Sequence, residues 1–172
     1  MRCSVIGNAG GGKSILSRAM ASKTGIPLHE LDNYLWKDNW DSVPPEVFEK
    51  QHREIIDTES WIIDGFGLPN TIEPRLRRST RIVFIDLPIW MHFALAAERQ
   101  AVWKQGKLTH PPGGMKAAPP TKILFELMWK IHTELTPSVN QWVQQAAESE
   151  CVVETVHTLD RLRELQFNPM SV

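Results

Sequence analysis

The segment Gly7–Ser14, which reads Gly-Asn-Ala-Gly-Gly-Gly-Lys-Ser, constrains this chain more than any other feature. It satisfies the spacing G-x-x-x-x-G-K-[ST] in full. A short apolar run at 3–6 precedes it, and apolar residues recur at helical spacing over 15–20. This order predicts a strand, a glycine-rich turn and a helix. We therefore expect an α/β protein whose first turn binds phosphate.

The residue types in this turn predict how it binds a nucleotide. Glycines let backbone amides curl around an anion, and the helix that follows points its positive end at the phosphates. Lys13 is expected to reach the β- and γ-phosphates of the nucleotide, and Ser14 to offer its hydroxyl to Mg²⁺. The predicted nucleotide-binding residues are Gly7, Asn8, Ala9, Gly10, Gly11, Gly12, Lys13 and Ser14. A glycine-rich turn that binds nothing is the alternative, which Lys-Ser in register disfavours.

Length, charge and cysteine content limit the classes of protein. A chain of 172 residues is expected to form a single domain, 1–172. A net charge of −1 disfavours broad binding to nucleic acid, which needs a basic surface. Cys3 and Cys151 fall in predicted buried strands and indicate a reduced, cytoplasmic protein. The loop stands too close to Met1 for a signal peptide, and the most apolar stretch, 82–97, contains Asp86 and is not expected to span a membrane.

Five short apolar strands alternate with helices along the chain. Strands are predicted at 3–6, 28–31, 61–63, 81–85 and 151–156. Helices are predicted from 13 to Gly25, over 89–105 and over 159–165. Another begins at Pro45 and has a buried face formed by Phe48, His52, Ile55 and Ile56. A further helical pattern runs from 123 to 143 and is predicted to break near Pro137. Four prolines forbid regular structure at 106–120, which we interpret as a loop or lid.

Asp32, Asp64 and Asp86 each follow a predicted strand. The carboxyl ends of parallel strands form one edge of a sheet, where such proteins bind ligands. All three carboxylates are therefore candidates for Mg²⁺ or acceptor chemistry. The alternative for each is a structural or helix-capping aspartate.

Arginines are the second requirement of phosphoryl transfer, since cationic side chains stabilise charge on the equatorial oxygens. Arg75 follows Asp64 closely, and Arg99 stands just before the lid, so both are candidates. Arg77 and Arg78 are interpreted as a solvated helix end.

Several segments in order resemble one family. These are 26–36, Trp40, Trp61-Ile-Ile-Asp-Gly65, Arg75 and Phe84-Ile-Asp-Leu-Pro88, and they resemble the adenylate-kinase-related proteins often labelled DNA topology modulation proteins. The resemblance covers about the first hundred residues and implies a three-layer P-loop kinase fold, nucleoside monophosphate kinase-like. Its sheet has five parallel strands in the order 2-3-1-4-5, flanked by helices. ATP is the implied phosphate donor.

The resemblance also implies roles for individual residues. Asp64 would organise Mg²⁺, Asp32 would face the acceptor, and Asp86 would be structural. Arg75 and Arg99 would clamp phosphates. The chain departs from the family at Ile89 and Leu95, where arginines are usual, and its lid region offers Lys104, Lys107, His110 and Lys116. Lysine lacks the bidentate fork of arginine, so weaker clamping is expected.

Aromatic residues and histidines have competing interpretations. Trp36 and Trp40 could form a stacking platform for an acceptor, although packing of the core or lid is favoured. His29, His92 and His132 are interpreted as packed side chains, and their spacing predicts no zinc site.

The predicted function is transfer of the γ-phosphate of ATP, with Mg²⁺, to a small acceptor. The predicted catalytic residues are Lys13, Asp32, Arg75 and Arg99, and the predicted metal ligands are Ser14 and Asp64. One alternative is a weakly catalytic nucleotide-binding regulator associated with DNA. Another is a GTPase, suggested by Asp64-x-x-Gly67 but disfavoured because no Asn-Lys-x-Asp element follows. The sequence predicts neither the acceptor nor the oligomeric state.

Overall fold

The computed structural model describes residues 1–37 and 40–170. The strands are β1 (Arg2–Gly7), β2 (Leu28–Glu30), β3 (Trp61–Asp64), β4 (Arg81–Ile85) and β5 (Val152–Val156). The helices are α1 (Lys13–Thr24), α2 (Asp32–Leu35), α3 (Pro45–Ile56), α4 (Pro69–Arg78), α5 (Ile89–Lys104), α6 (Thr121–Lys130), α7 (Thr136–Ala147) and α8 (Leu159–Phe167). Within these described ranges, no helix is both long and apolar enough to cross a bilayer.

The five strands form one parallel sheet in the order β2-β3-β1-β4-β5. The three central strands, β3, β1 and β4, are buried along nearly their whole length because helices cover both faces of a parallel sheet. On one face, Val5, Ile62 and Val83 pack with residues of α1 and α8. On the other face, Ile6 and Phe84 pack with residues of α4 and α7. The predicted α/β fold and strand order are confirmed.

Local signals set the bounds of several elements. Helix α1 ends where Gly25 adopts a left-handed backbone with φ of 71°, which costs glycine little. The four residues predicted on the inner face of α3 are all buried. The three apolar ones pack with Leu31, Trp61 and Ile63, and His52 stacks on Phe48, which confirms that this stripe is core.

Three predictions about element bounds were wrong. Pro137 does not break its helix, because a π-helical segment, Ile131–Leu135, lets the chain continue from α6 into α7 with Pro137 in the first turn of α7. Strand β2 ends at Glu30, and Asp32 begins α2. Cys151 lies just before β5, which is an edge strand, and is only partly buried. Cys3 is buried as predicted, and burial raises the pKa of its thiol to about 12.

The predicted lid, 106–120, contains one 3₁₀ turn at Pro112–Gly114 and packs against α2 and α5. The indole of Trp40 donates to the Ala117 carbonyl at 3.0 Å, and Gln100 Nε2 donates to the Pro119 carbonyl at 3.1 Å. Trp40 also packs edge-on against Trp36 and Trp103, with 5.8 Å between ring centroids in both pairs. The tryptophans therefore pack the lid segment onto the domain, the alternative that the sequence favoured.

Candidate active site

The glycines of the loop between β1 and α1 lie against α5. Gly10 and Gly12 adopt left-handed conformations with φ of 77° and 68°. A Cβ atom on Gly10 would lie 2.7 Å from the His92 carbonyl oxygen, and one on Gly11 would lie 2.8 Å from Cε1 of the His92 ring. Side chains at these positions would clash with the helix. The close approach of α5 therefore requires glycine here, in addition to the need for a tight turn.

The carbonyls of this loop are held by protein groups. Lys13 Nζ donates to the Asn8 carbonyl at 2.8 Å, His92 Nδ1 to the Ala9 carbonyl at 3.0 Å, and Gln166 Nε2 to the Gly12 carbonyl at 3.2 Å. Among residues 1–37 and 40–170, no protein group accepts a hydrogen bond from the amides of residues 10–14. Free amides in a glycine turn at a helix N-terminus are what a phosphate group binds.

The Asn8 side chain fixes the start of the loop. Its Nδ2 donates to the Met128 carbonyl of α6 at 2.8 Å, and its Oδ1 accepts from the Ala9 amide at 2.8 Å. Asn8 is buried, so its bond to Met128 is shielded from water. The loop is thereby tied to α6 as well as to α5.

Lys13, Asp32, Asp64 and Arg99 converge beside the loop at the carboxyl edge of the sheet. Burial lowers the pKa of Lys13, while the charges of Asp64 and Asp32 oppose that change. Burial raises the pKa of Asp32. The positive charges of Lys13 and Arg99, and a hydrogen bond that Trp36 donates, oppose this increase. Burial likewise lowers the pKa of Arg99 against the attraction of both carboxylates. Residues from four different elements thus form one cluster of alternating charge.

Asp64 and Ser14 fit a magnesium site. The Asp64 side chain is buried with 4 % exposure, and its Oδ1 has no hydrogen-bond partner among the described residues. Burial raises the pKa of Asp64 to about 6, with Lys13 and the Ser14 hydroxyl opposing the rise. Mg²⁺ usually takes one or two carboxylates and completes its octahedron with water and substrate phosphates. The unpartnered carboxylate oxygen of Asp64 and the nearby hydroxyl of Ser14 match this coordination preference.

No larger metal site is evident. In the part of the chain that the structure describes, no group of three or more His, Cys, Asp or Glu side chains is arranged to hold a metal ion. A bound Mg²⁺ would therefore depend on oxygens from the nucleotide and from water.

Replacing Asp64 by Asn should stabilise the protein at neutral pH. The pKa of Asp64 is raised above its unfolded value, so the stability it contributes is present below pH 3.8 and is lost as the pH rises through about 6. A shift of about two units corresponds to about 3 kcal/mol in the free energy of unfolding at pH 7.5. Urea unfolding of both proteins at pH 7.5 and at pH 4 measures this; an equal difference at both values would contradict it.

Arg75 lies beneath this cluster rather than in it. Its guanidinium, on α4, is fully buried and donates from Nη2 to the Gly65 carbonyl at 2.9 Å, while Nε and Nη1 have no partner in the described ranges. Burial lowers its pKa to about 10 against the attraction of Asp64. Burial and the Arg75 charge lower the pKa of His52 to about 3. The structure therefore places Arg75 under the Asp64-Gly65 turn, and its clamping role stays a prediction.

The other candidates lie outside the cluster. Asp86 follows β4, its carboxylate lies 3.8 Å from the His157 ring, and it is not among the charges that act on the pKa of Lys13. Arg77 pairs with Glu73 on the exposed side of α4, as interpreted from sequence. Arg78 donates to the Ile56 carbonyl at 2.8 Å and so also stabilises the end of α3.

Sequence reasoning missed three residues that hold the site. The sequence indicates His92 only as a packed side chain, and no sequence pattern points to Gln100 or Gln166. The available signal was helical spacing on α5, where residues 92, 96, 99 and 103 repeat at intervals of three and four. This face contacts the loop at His92 and Ala96, Gln100 contacts the predicted lid, and Trp103 packs against Trp40.

Comparison with solved structures identifies the fold. The chain is similar to a shikimate kinase from Bacteroides thetaiotaomicron, with 17 % identity, coverage of 82 % of each chain and a TM-score of 0.53. It is also similar to a shikimate kinase from Acinetobacter baumannii in complex with shikimate, with 12 % identity, coverage of 99 % of this chain and 94 % of that one, and a TM-score of 0.54. At these identities the likeness shows the fold alone, which is that of the P-loop kinases.

No protein-family model matches the chain, and no curated protein matches it by sequence. The more specific resemblance to the DNA topology modulation proteins therefore stays a prediction.

Proposed function

We propose that this protein is an ATP-dependent phosphotransferase that moves the γ-phosphate of ATP to a small acceptor, in the manner of nucleoside monophosphate kinases. The observation that carries the proposal is the meeting of Lys13, Asp32, Asp64 and Arg99 beside a loop with free amides. A site that only binds nucleotide needs the loop and one lysine. A carboxylate and an arginine beyond the phosphates are what transfer requires in addition.

Each residue has a distinct proposed role. The amides of the loop and Lys13 hold the β- and γ-phosphates, for which Lys13 leaves the Asn8 carbonyl. Asp32 positions or deprotonates the acceptor, and its raised pKa makes it a stronger proton acceptor than an exposed aspartate. Arg99 stabilises charge on the transferring group. Ser14 and Asp64 would hold Mg²⁺, which when bound neutralises charge on the phosphates.

The proposed compartment is the cytoplasm, which the two free cysteines support. The acceptor is proposed as a nucleoside monophosphate, a nucleoside or another small hydroxyl compound. The DNA-associated regulator is the second candidate because, in the described part of the chain, Arg99 is the one arginine whose charge acts on the pKa of Lys13. Duplex binding that weakens steeply with salt would favour the regulator.

The proposal is tested by incubating the protein with Mg²⁺, ATP and a panel of nucleosides, monophosphates and small hydroxyl metabolites. ADP should form only when an acceptor is present, and a phosphorylated acceptor should appear in equal amount. The same panel with GTP distinguishes a GTPase, which would release phosphate without any acceptor. ATP binding without ADP formation for every acceptor would contradict the proposal and favour the regulator.

A further inference from the structure

One histidine outside the predicted set contacts the backbone of the phosphate-binding loop directly. His92 lies on the first turn of α5, is 2 % exposed, and places Nδ1 3.0 Å from the Ala9 carbonyl oxygen. A carbonyl oxygen only accepts hydrogen bonds, so Nδ1 carries the proton in this arrangement. The histidine is therefore a buried donor committed to one peptide of the loop.

The geometry of a trans peptide gives this bond its consequence. The C=O and N–H groups of one peptide unit lie in a plane and point in opposite directions. No cis peptide bond occurs in the described residues, so holding the Ala9 carbonyl on α5 turns the Gly10 amide away from α5. If this carbonyl were released, the peptide could rotate and present its oxygen to the phosphates, which repel it.

The protonation state of His92 suits a constant donor. Burial and, less strongly, the charges of Lys13 and His132 lower the pKa of His92 to about 4. The bond to the Ala9 carbonyl opposes this decrease. The imidazole is therefore neutral near pH 7, with one N–H group. Gly11 lies so near the ring that a Cβ there would be 3.2 Å from Nδ1, which leaves the ring little room to turn.

We infer that His92 is a positioning residue that holds the Ala9 carbonyl on α5 and so orients the loop amides toward a bound triphosphate. This inference rests on the proposed nucleotide-binding function. His92 contacts the loop backbone at the Ala9 carbonyl, so it acts through the conformation of the Ala9–Gly10 peptide. It should affect the phosphate half of the nucleotide, whatever acceptor the protein uses.

The test compares His92→Leu, which removes the donor, with His92→Asn, whose amide nitrogen stands near the position of Nδ1. Titration calorimetry with Mg²⁺ present measures the Kd of ATP and of inorganic tripolyphosphate, which has no base or sugar. His92→Leu should raise both values about tenfold, the effect of one lost hydrogen bond. His92→Asn should stay within about twofold of the wild type, since its donor is retained.

A merely structural role predicts a different result. It would lower Tm in both variants without separating Asn from Leu in phosphate affinity. If His92→Leu does not fold, His92→Gln is used in its place. The Gln amide lies one bond further from the backbone and misses the Ala9 carbonyl, so this variant should bind ATP and tripolyphosphate as weakly as expected for His92→Leu. Equal affinity of the donor-free variant and the wild type, or equal losses in it and His92→Asn, would overturn the inference.

The failure of this inference is distinguishable from the failure of the proposed function. A wild-type protein that binds tripolyphosphate in a His92-dependent way but phosphorylates no acceptor supports the positioning role and contradicts the kinase. Phosphate transfer by the wild type, together with unchanged ATP and tripolyphosphate affinity in His92→Leu, supports the kinase and contradicts the positioning role. Absence of binding by either probe overturns both.

Discussion

Replacing Lys13 by Ala should lower the rate of phosphotransfer by at least about a thousandfold, the scale of losing a charge aimed at the transferring group. The ammonium of Lys13 lies near Asp32, Asp64 and Arg99, and all three charges act on its pKa. Without it, charge that develops between the phosphates has no cation from α1. ADP formation with the best acceptor of the panel measures the loss.

Lys23→Ala is the matched control for this prediction. Lys23 belongs to the same helix, but its ammonium donates to the Asn168 side chain at an exposed position. Its replacement should leave the rate unchanged. Lys13→Met, which keeps the length of the side chain without the charge, should be as inactive as the Ala variant. Retained turnover in a folded Lys13 variant would refute the assignment of the loop.

The Asp32→Asn variant should lose about 10²- to 10⁴-fold in turnover, the usual contribution of a general base. Burial raises the pKa of Asp32, and its carboxylate receives the indole N–H of Trp36 at 3.3 Å. Asn keeps the volume and the ability to accept that bond but cannot take a proton. The Kd of ATP should change little, so the loss should appear in kcat.

Asp86→Asn is the control for the role of Asp32, because both aspartates follow strands of the sheet and only Asp32 belongs to the charged cluster. Rates within about twofold of wild type are expected, the size of surface effects. Equal losses in both variants would mean that position after a strand, and not the cluster, sets activity. A nearly unchanged rate for Asp32→Asn would remove its role as base.

Arg75 illustrates how far sequence reasoning about the site could go. Its position after Asp64-Gly65 indicated a residue near the phosphates, and the structure does place it against Gly65. Its full burial could not be predicted, since that depends on α4 packing its inner face on the sheet.

The break predicted near Pro137 was wrong for a related reason. Proline at a helix start is tolerated, and the π segment moves the start of α7 to just before it.

The sequence by itself determined the loop and the five strands, because glycine spacing and apolar periodicity are properties of neighbouring residues, and it predicts Lys13, Ser14 and Asp64 as site residues. Only the tertiary structure decided which distant groups meet there. The bond between His92 and Ala9 joins residues 83 positions apart, and the charge of Asp32 on α2 acts on the pKa of Arg99 on α5. Such contacts depend on how α5 packs against the carboxyl edge of the sheet, and no local pattern records that packing.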